Sequence, residues 1–193
     1  MSADSDWLTP YLPCFPPGVR ALDLGCGPGE DSAALQAHGV QVVSCDRAPR
    51  ALLAARGLLG SGALLRVDHP ATLPFRDAAF DAVLASLSLH YFPWAITRAT
   101  FAEVRRVLKP GAPFLFRVNA HDDVEFGARD GVEVEPGLRT SDESPYSEVK
   151  RFFDGPSVRA AVEPCFIVES LRHTEIDRWA KPKRVWECLA RAV

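Results

Sequence analysis

The stretch Ala21-Leu22-Asp23-Leu24-Gly25-Cys26-Gly27-Pro28-Gly29-Glu30 sets three glycines between an apolar run and an Ala/Leu-rich segment. Glycine is needed where φ is positive or where backbone must lie close against a ligand. A helix that starts directly after such a loop adds N–H groups without intrahelical partners. Strand, loop and helix start together make a cradle for a polar, negatively charged group. The spacing is G-x-G-x-G and lacks the ending of the dinucleotide pattern G-x-G-x-x-G, so the ligand need not be a pyrophosphate. Asp46 ends the next apolar run, about twenty residues on, where doubly wound folds place a carboxylate that accepts hydrogen bonds from ribose hydroxyls. Asp68 ends the third apolar run and is suited to accept from an adenine amino group. A ribose without a pyrophosphate points to a nucleoside ligand.

These residues need a sheet whose carboxyl edge gathers them. The chain alternates strand-like and helix-like segments, which predicts an α/β fold with a mostly parallel sheet covered on both faces. Strands are expected over Val19–Leu24, Val40–Cys45, Ala63–Val67, Phe80–Ala85 and Pro113–Val118, with helices over Asp31–His38, Arg50–Leu58 and Ala95–Leu108. Gly39 and Lys109-Pro110-Gly111 read as helix stops. Asn119–Lys150 is acidic, rich in turn formers and weakly periodic; loops of that length are usually functional or mobile. Regularity returns with a helix near Pro156–Val162 and strands over Cys165–Thr174 and Arg184–Ala192. The turn Ala180–Lys183 predicts that these two strands form an antiparallel hairpin at one end of the sheet.

In this order, DLGCGPG, Asp46, DHPATLPF (68–75), FDAVLASLSLHYF and EVRRVLKPGAPFLFRVN resemble the Rossmann-like, seven-strand (class I) S-adenosylmethionine-dependent methyltransferases of small bacterial type. The likeness runs from about Trp7 to Val193, and the closing WECLARAV resembles the family's final antiparallel strand. The resemblance implies a doubly wound, seven-stranded sheet and methyl transfer from S-adenosyl-L-methionine, with S-adenosyl-L-homocysteine as product. It implies that Asp23 and the backbone of Gly25 and Gly27 face the methionine end of the cofactor, that Asp46 holds the ribose, and that Cys26, Gly29 and Arg47 also belong to the cofactor site. Asp68 and the backbone of His69 would read adenine, although relatives place a small residue where His69 stands. Ser86 and Leu87 would lie near the sulfonium and its methyl group.

His90 and Tyr91 follow the fourth strand and are the candidate catalytic residues, with His90 as general base. The alternative is a neutral ring that packs against its loop. Methyl transfer from a sulfonium does not always need a base, because holding the acceptor in line and excluding water supplies much of the acceleration. Asn119, His121 and Asp123 leave the fifth strand at the same edge and are candidate ligands of the acceptor or of a cation, the alternative being an ordinary polar loop. Trp7 and Tyr11 sit on an N-terminal arm (1–18), either closing over the cofactor or packing that arm onto the core. Trp94, Trp179 and Trp186 read as packing residues.

The acceptor is narrowed by what the chain lacks. After the fourth strand stands Ala85-Ser86-Leu87-Ser88, not the Asn/Asp-Pro-Pro-aromatic run of amino-methylating nucleic-acid enzymes. No cysteine follows a proline there, and no paired-glutamate loop of arginine methylators is present. A formal charge of -3 argues against a nucleic-acid surface. The expected acceptor is therefore a small molecule, enclosed by 119–150 and the arm. The 193 residues suit a single domain. The five scattered cysteines fit a reducing cytoplasm better than disulfides or zinc, and no metal site is expected. No apolar run is long enough to span a bilayer, and the start lacks a secretory pattern. Oligomeric state is not legible. The rival readings are a non-catalytic sensor or scaffold that keeps the cofactor loop and, less compatible with the loop spacing, a nicotinamide-dependent oxidoreductase.

Overall fold

The computed structural model describes residues 5–141, 147–177 and 181–193. Its centre is a sheet of β1 (Arg20–Leu24), β2 (Gln41–Asp46), β3 (Ala63–Arg66), β4 (Ala82–Ser86), β5 (Pro113–Asn119), β9 (Phe166–Ile176) and β10 (Lys183–Ala192). The strands lie in the order β3-β2-β1-β4-β5-β10-β9. β1 to β5 are parallel, and β10 runs antiparallel between β5 and β9. The seven-stranded sheet and its antiparallel closing hairpin agree with the sequence-based expectation. The strand order reverses at β1, so a crevice opens between the carboxyl ends of β1 and β4.

Successive strand residues point to opposite faces, and the core divides accordingly. Leu22, Val83, Ala85, Phe114 and Phe116 point to one face, where α3 (Trp94–Val107) and α4 (Gly155–Val162) supply Phe101, Val104 and Val158. Phe101 meets Phe114 and Phe116 edge-on at 5.6 and 5.2 Å, a favoured aromatic geometry. Ala21, Leu84 and Leu115 point to the other face, which Leu8, Tyr11 and Phe15 cover together with Leu35 of α1 (Glu30–Ala37). α2 (Pro49–Leu59) packs beside α1, and the loop between them and β1 is closed by Cys26, Ala55 and Leu59. α2 opens with proline, whose missing N–H costs nothing there. Asp154 caps α4 by accepting the Ser157 N–H, and Ser157 answers through its hydroxyl.

Of the two readings of the N-terminal arm, packing onto the core holds: it is a 3-10 helix over Ser5–Cys14 whose Leu8 and Tyr11 are core residues. One region differs from the sequence-based reading. The weakly periodic segment 119–150 contains a helical turn (Val124–Phe126) and β6 (Glu133–Glu135) and β7 (Leu138–Thr140), which join β8 (Val149–Arg151) in a second sheet of order β6-β7-β8. These strands are three residues each, too short for periodicity to register. The remaining boundaries move by one or two residues, as helix and strand ends commonly do. Trp94 and Trp186 pack against the core as expected; Trp179 and Ala180 lie outside the described residues. No helix among the described residues is long and apolar enough to cross a membrane.

Candidate active site

The crevice between β1 and β4 deepens into a cavity of about 580 Å³. Asp23, Gly25, Cys26, Gly27, Asp46, Arg47 and Asp68 line one half, and Ser86, Leu87, His90, Tyr91 and Asn119 line its middle and far side. That volume lies within the usual range for small-molecule sites, about 300–1,000 Å³.

The first half is built by backbone. Gly25 has φ 80°, and a Cβ there would overlap the Ser88 side chain, whose hydroxyl donates to the Leu24 carbonyl at 2.5 Å. The loop is therefore clamped to the residues after β4. The Gly25 and Cys26 N–H groups both donate to the Cys45 carbonyl, at 2.8 and 2.9 Å, which ties the loop to β2. Gly27 has φ 53° and open space where a side chain would stand. Gly29 plays a different part. It sits outside the cavity wall, has φ 92°, and a Cβ would press on Ala55 and Leu59 at 3.2 Å. It lets α2 approach the start of α1.

Carboxylates complete this half. Asp46 accepts the Gly27 N–H at 2.9 Å on one oxygen and the Ala48 N–H at 2.8 Å on the other. A carboxylate offers about four acceptor positions, so about half remain for a ligand's hydroxyls. Asp23 is buried at 1% exposure and accepts from the Ser32 hydroxyl at 2.6 Å. Burial pushes its carboxyl up to about 8, with repulsion from Asp31 and Asp46 adding to this and the Ser32 bond opposing it. Asp68 stands at the open rim, paired with Arg66 at 2.8 Å. The His69 ring turns away from the cavity and accepts the Ala71 N–H at 3.3 Å, so its imidazole belongs to its own turn.

The second half is built by side chains. Leu87 has φ 55°, an uncommon conformation for a bulky residue, and its N–H donates to the Arg117 carbonyl at 3.0 Å. Backbone strain of this kind tends to persist where a site over-determines it. Ser86 accepts from Arg117 through Nη2 at 2.7 Å and Nε at 3.0 Å. The Arg117 guanidinium lies 3.8 Å from the Trp7 ring centroid, and Trp7 Nε1 donates to Asp31. Trp7 thus supports the site from behind, and it is outside the cavity wall. Tyr11 hydrogen-bonds Glu187 of β10; burial and that carboxylate push its phenol up to about 12.

His90 and Asn119 are 2% and 1% exposed, and His90 Nδ1 and Asn119 Oδ1 are buried without a hydrogen-bond partner. A buried polar atom left unpaired costs about 1–3 kcal/mol, so two at one cavity mark a place that calls for a hydrogen-bonding water or ligand. Burial first, then the charges of Lys183 and Lys150, hold the imidazole well below its usual range, so the ring is neutral.

The small sheet is fastened to this half through Arg151, which is 3% exposed. Its backbone N–H donates to the His90 carbonyl at 2.6 Å, and its guanidinium bonds the carbonyls of Phe92 and Pro136 and the carboxylate of Glu135. Glu135 also accepts the Trp94 N–H at 2.6 Å. Lys150, next to Arg151 on β8, is thereby set on the cavity wall.

Two expected acceptor ligands are revised. Asp123 lies below the wall: its oxygens accept from Lys183 Nζ at 2.7 Å and the Arg184 N–H at 2.9 Å, and Lys183 reaches the cavity in its place. His121 lines a separate cavity of about 600 Å³ bounded by Trp94, Arg139 and Phe152. Sequence reasoning missed Arg117, Lys150 and Lys183. Arg117 had a signal, a lone charge inside the apolar run Phe114–Val118. Lys150 and Lys183 had none, because the folding of β8 and β10 brings them there.

Residues 21–111 match the family model described as a methyltransferase domain. The chain is 36% identical over 98 residues to an uncharacterized methyltransferase of Synechocystis sp., covering 51% of this chain and 46% of that protein. It is 43% identical over 101 residues to the demethylmenaquinone methyltransferase of Beutenbergia cavernae, covering 49% of this chain and 38% of that one. The chain thus spans less than half the length of these curated relatives. Its fold superposes on a crystal structure from Methanosarcina mazei described as a SAM-dependent methyltransferase, with TM-score 0.76 and 21% identity over 91% of this chain and 92% of that one. Residues 21–111 thus carry the methyltransferase-domain pattern, and the fold of the chain is that of solved structures described as SAM-dependent methyltransferases.

Proposed function

We propose that the chain transfers a methyl group from S-adenosyl-L-methionine to a small-molecule acceptor held in the second half of the same cavity. One observation carries this reading: a glycine-cradled, carboxylate-lined half and a half with buried, unpaired polar atoms share one cavity across the β1/β4 crevice. The residues fit the cofactor. Asp46 has free acceptor positions for ribose hydroxyls, Asp68 stands at the rim where the adenine would emerge, and Asp23 is buried on the cavity wall with a carboxyl that an ammonium would ionise.

When bound, the cofactor supplies an electrophilic methyl group on a positively charged sulfur, which departs as neutral S-adenosyl-L-homocysteine as the acceptor's lone pair bonds to the methyl carbon. The chain's own residues position and shield. Leu87 and Tyr91 line the passage between the halves, and Asn119 and His90 offer hydrogen bonds that orient the acceptor. His90 suits this orienting part better than proton abstraction. Its protonated form is disfavoured by burial and by two lysines, so a proton accepted there would be held poorly.

Calorimetric titration with S-adenosyl-L-methionine and S-adenosyl-L-homocysteine tests the reading. Micromolar binding of either is expected; no heat from either, in protein shown to be folded by circular dichroism, would overturn it.

A further inference from the structure

The two halves of the cavity carry opposite charge. The glycine-loop half is lined by five carboxylates (Asp23, Glu30, Asp31, Asp46 and Asp68) against one cation, Arg47. The other half is lined by Arg117, Lys150 and Lys183 with neutral His90, and among the described residues no carboxylate lines it. Acidic walls suit a ligand with an ammonium and a sulfonium. Basic walls suit the opposite.

The cations of the second half are not equivalent. Lys183 is buried and neutralised by Asp123 at 2.7 Å. Arg117 is taken up by Ser86 and the Trp7 ring. Lys150 is half-buried on β8 and makes no ion pair among the described residues. Arg151, with its four bonds to His90, Phe92, Glu135 and Pro136, keeps β8 in place, and Lys150 next to it lines the same cavity as His90, close enough for its charge to act on the ring. A lysine ammonium held on a cavity wall with no carboxylate paired to it among the described residues is a waiting partner for an anion. The unpaired Asn119 Oδ1 and His90 Nδ1 add a demand for a hydroxyl or amino group on the same ligand.

Building on the methyl transfer proposed above, we infer that the acceptor is a small organic anion bearing a hydroxyl or amino group. Its carboxylate or phosphate sits on Lys150, and its hydroxyl or amino group sits between Asn119 and His90. A cationic acceptor would meet like charge, and a purely apolar one would leave both buried polar atoms unpaired.

Three phenols of like size, titrated into protein saturated with S-adenosyl-L-homocysteine, test this: 4-hydroxybenzoate (anionic), methyl 4-hydroxybenzoate (neutral) and tyramine (cationic). The anion is expected to bind ~10-fold or more tightly than the ester, the worth of one charge-assisted hydrogen bond, and tyramine is expected to bind most weakly. Lys150→Ala should abolish that preference and Lys150→Arg should keep it. The S-adenosyl-L-homocysteine titration of each variant verifies its fold. Equal or tighter binding of the ester or tyramine overturns the inference and leaves the proposed function standing. So does a preference that survives Lys150→Ala, or no binding by any of the three. Failure of S-adenosyl-L-homocysteine to bind wild-type protein removes the proposed function and the inference with it.

Discussion

The two halves of the cavity are made by different means. The glycine-loop half is assembled from residues 23–31, 45–47 and 67–70, short stretches at the ends of adjacent parallel strands, and its shape is mainly backbone. The basic half draws on residues around 90, 117–119, 126, 150 and 183, from five separate parts of the chain, and its shape is mainly side chain. The first can be set by local geometry, with glycines that accept positive φ and carboxylates that accept loop N–H groups. The second exists only when the small sheet, β5 and β10 have all docked. This contrast predicts that damage to the basic half reaches global stability, while damage to the loop half reaches cofactor affinity.

The largest expected effect lies in the basic half. Lys183→Met leaves Asp123 buried with its charge uncompensated, which typically costs about 3–5 kcal/mol. Urea denaturation should show that loss, while S-adenosyl-L-homocysteine affinity in the still-folded protein holds. A loss confined to cofactor affinity would erase the contrast between the halves.

Next comes Asp46→Ala, which should weaken S-adenosyl-L-homocysteine binding by about 1.5–3 kcal/mol for each charge-assisted bond lost. Calorimetry reads this directly, and unchanged affinity would mean that the ribose lies elsewhere. The variant also frees the Gly27 and Ala48 N–H groups, so Asp46→Asn is the finer probe of charge alone.

The third effect is a proton. Asp23 titrates at about 8 in the fold, against about 3.9 in an unfolded chain. A raised carboxyl pKa favours the fold fully below the unfolded value, and that contribution is lost as pH climbs from about 4 to about 8. An ammonium placed beside Asp23 reverses the preference and expels the proton. Binding near pH 7 should therefore release close to one proton, and affinity should rise toward pH 8, by at most about tenfold per pH unit. Calorimetry in buffers of different ionisation heat counts the protons; a count of zero at pH 7 would remove Asp23 from the methionine end.

The smallest effect is a gain. His90→Phe replaces a buried ring that has an unpaired nitrogen, so the unliganded protein should gain up to about 1 kcal/mol. The sign with pH follows from the depressed imidazole. The unfolded chain takes up a proton below about 6.5 and the folded one does not, so wild-type stability falls as pH drops below that value. The variant should lose this acid-side decline, and thermal melts at pH 7 and pH 5.5 test it. An unchanged decline would show that His90 is not its source.

The same contrast governs what the sequence disclosed. The place of Gly25, Gly27, Asp46 and Asp68 on the cavity wall was legible because it follows from a strand–loop–helix pattern that hydrophobic periodicity reveals. The seven-stranded sheet was legible for the same reason. Lys150 and Lys183 were not, because nothing within ten residues of either distinguishes it from a surface lysine; β8 and β10 decide where each goes. Asp123 misled for the complementary reason. A polar residue leaving β5 reads as a site ligand until Lys183 arrives from sixty residues away to bury it. Gly29 read as cofactor cradle, yet it stands off the cavity wall and packs against α2, which only the closeness of Ala55 and Leu59 discloses.

β10 enters the sheet between two strands that precede it in the chain. A ribosome releases the chain from its N-terminal side, so the edge of β5 waits bare until residues 183–192 emerge. A bare edge of buried, apolar strand invites mispairing with other chains. Tyr11 and Asp123 wait as well, since their partners Glu187 and Lys183 travel on the same late strand. The glycine loop can be in place while the chamber beside it is still unbuilt, and β10, which brings Lys183 to the cavity wall, is the latch that completes it.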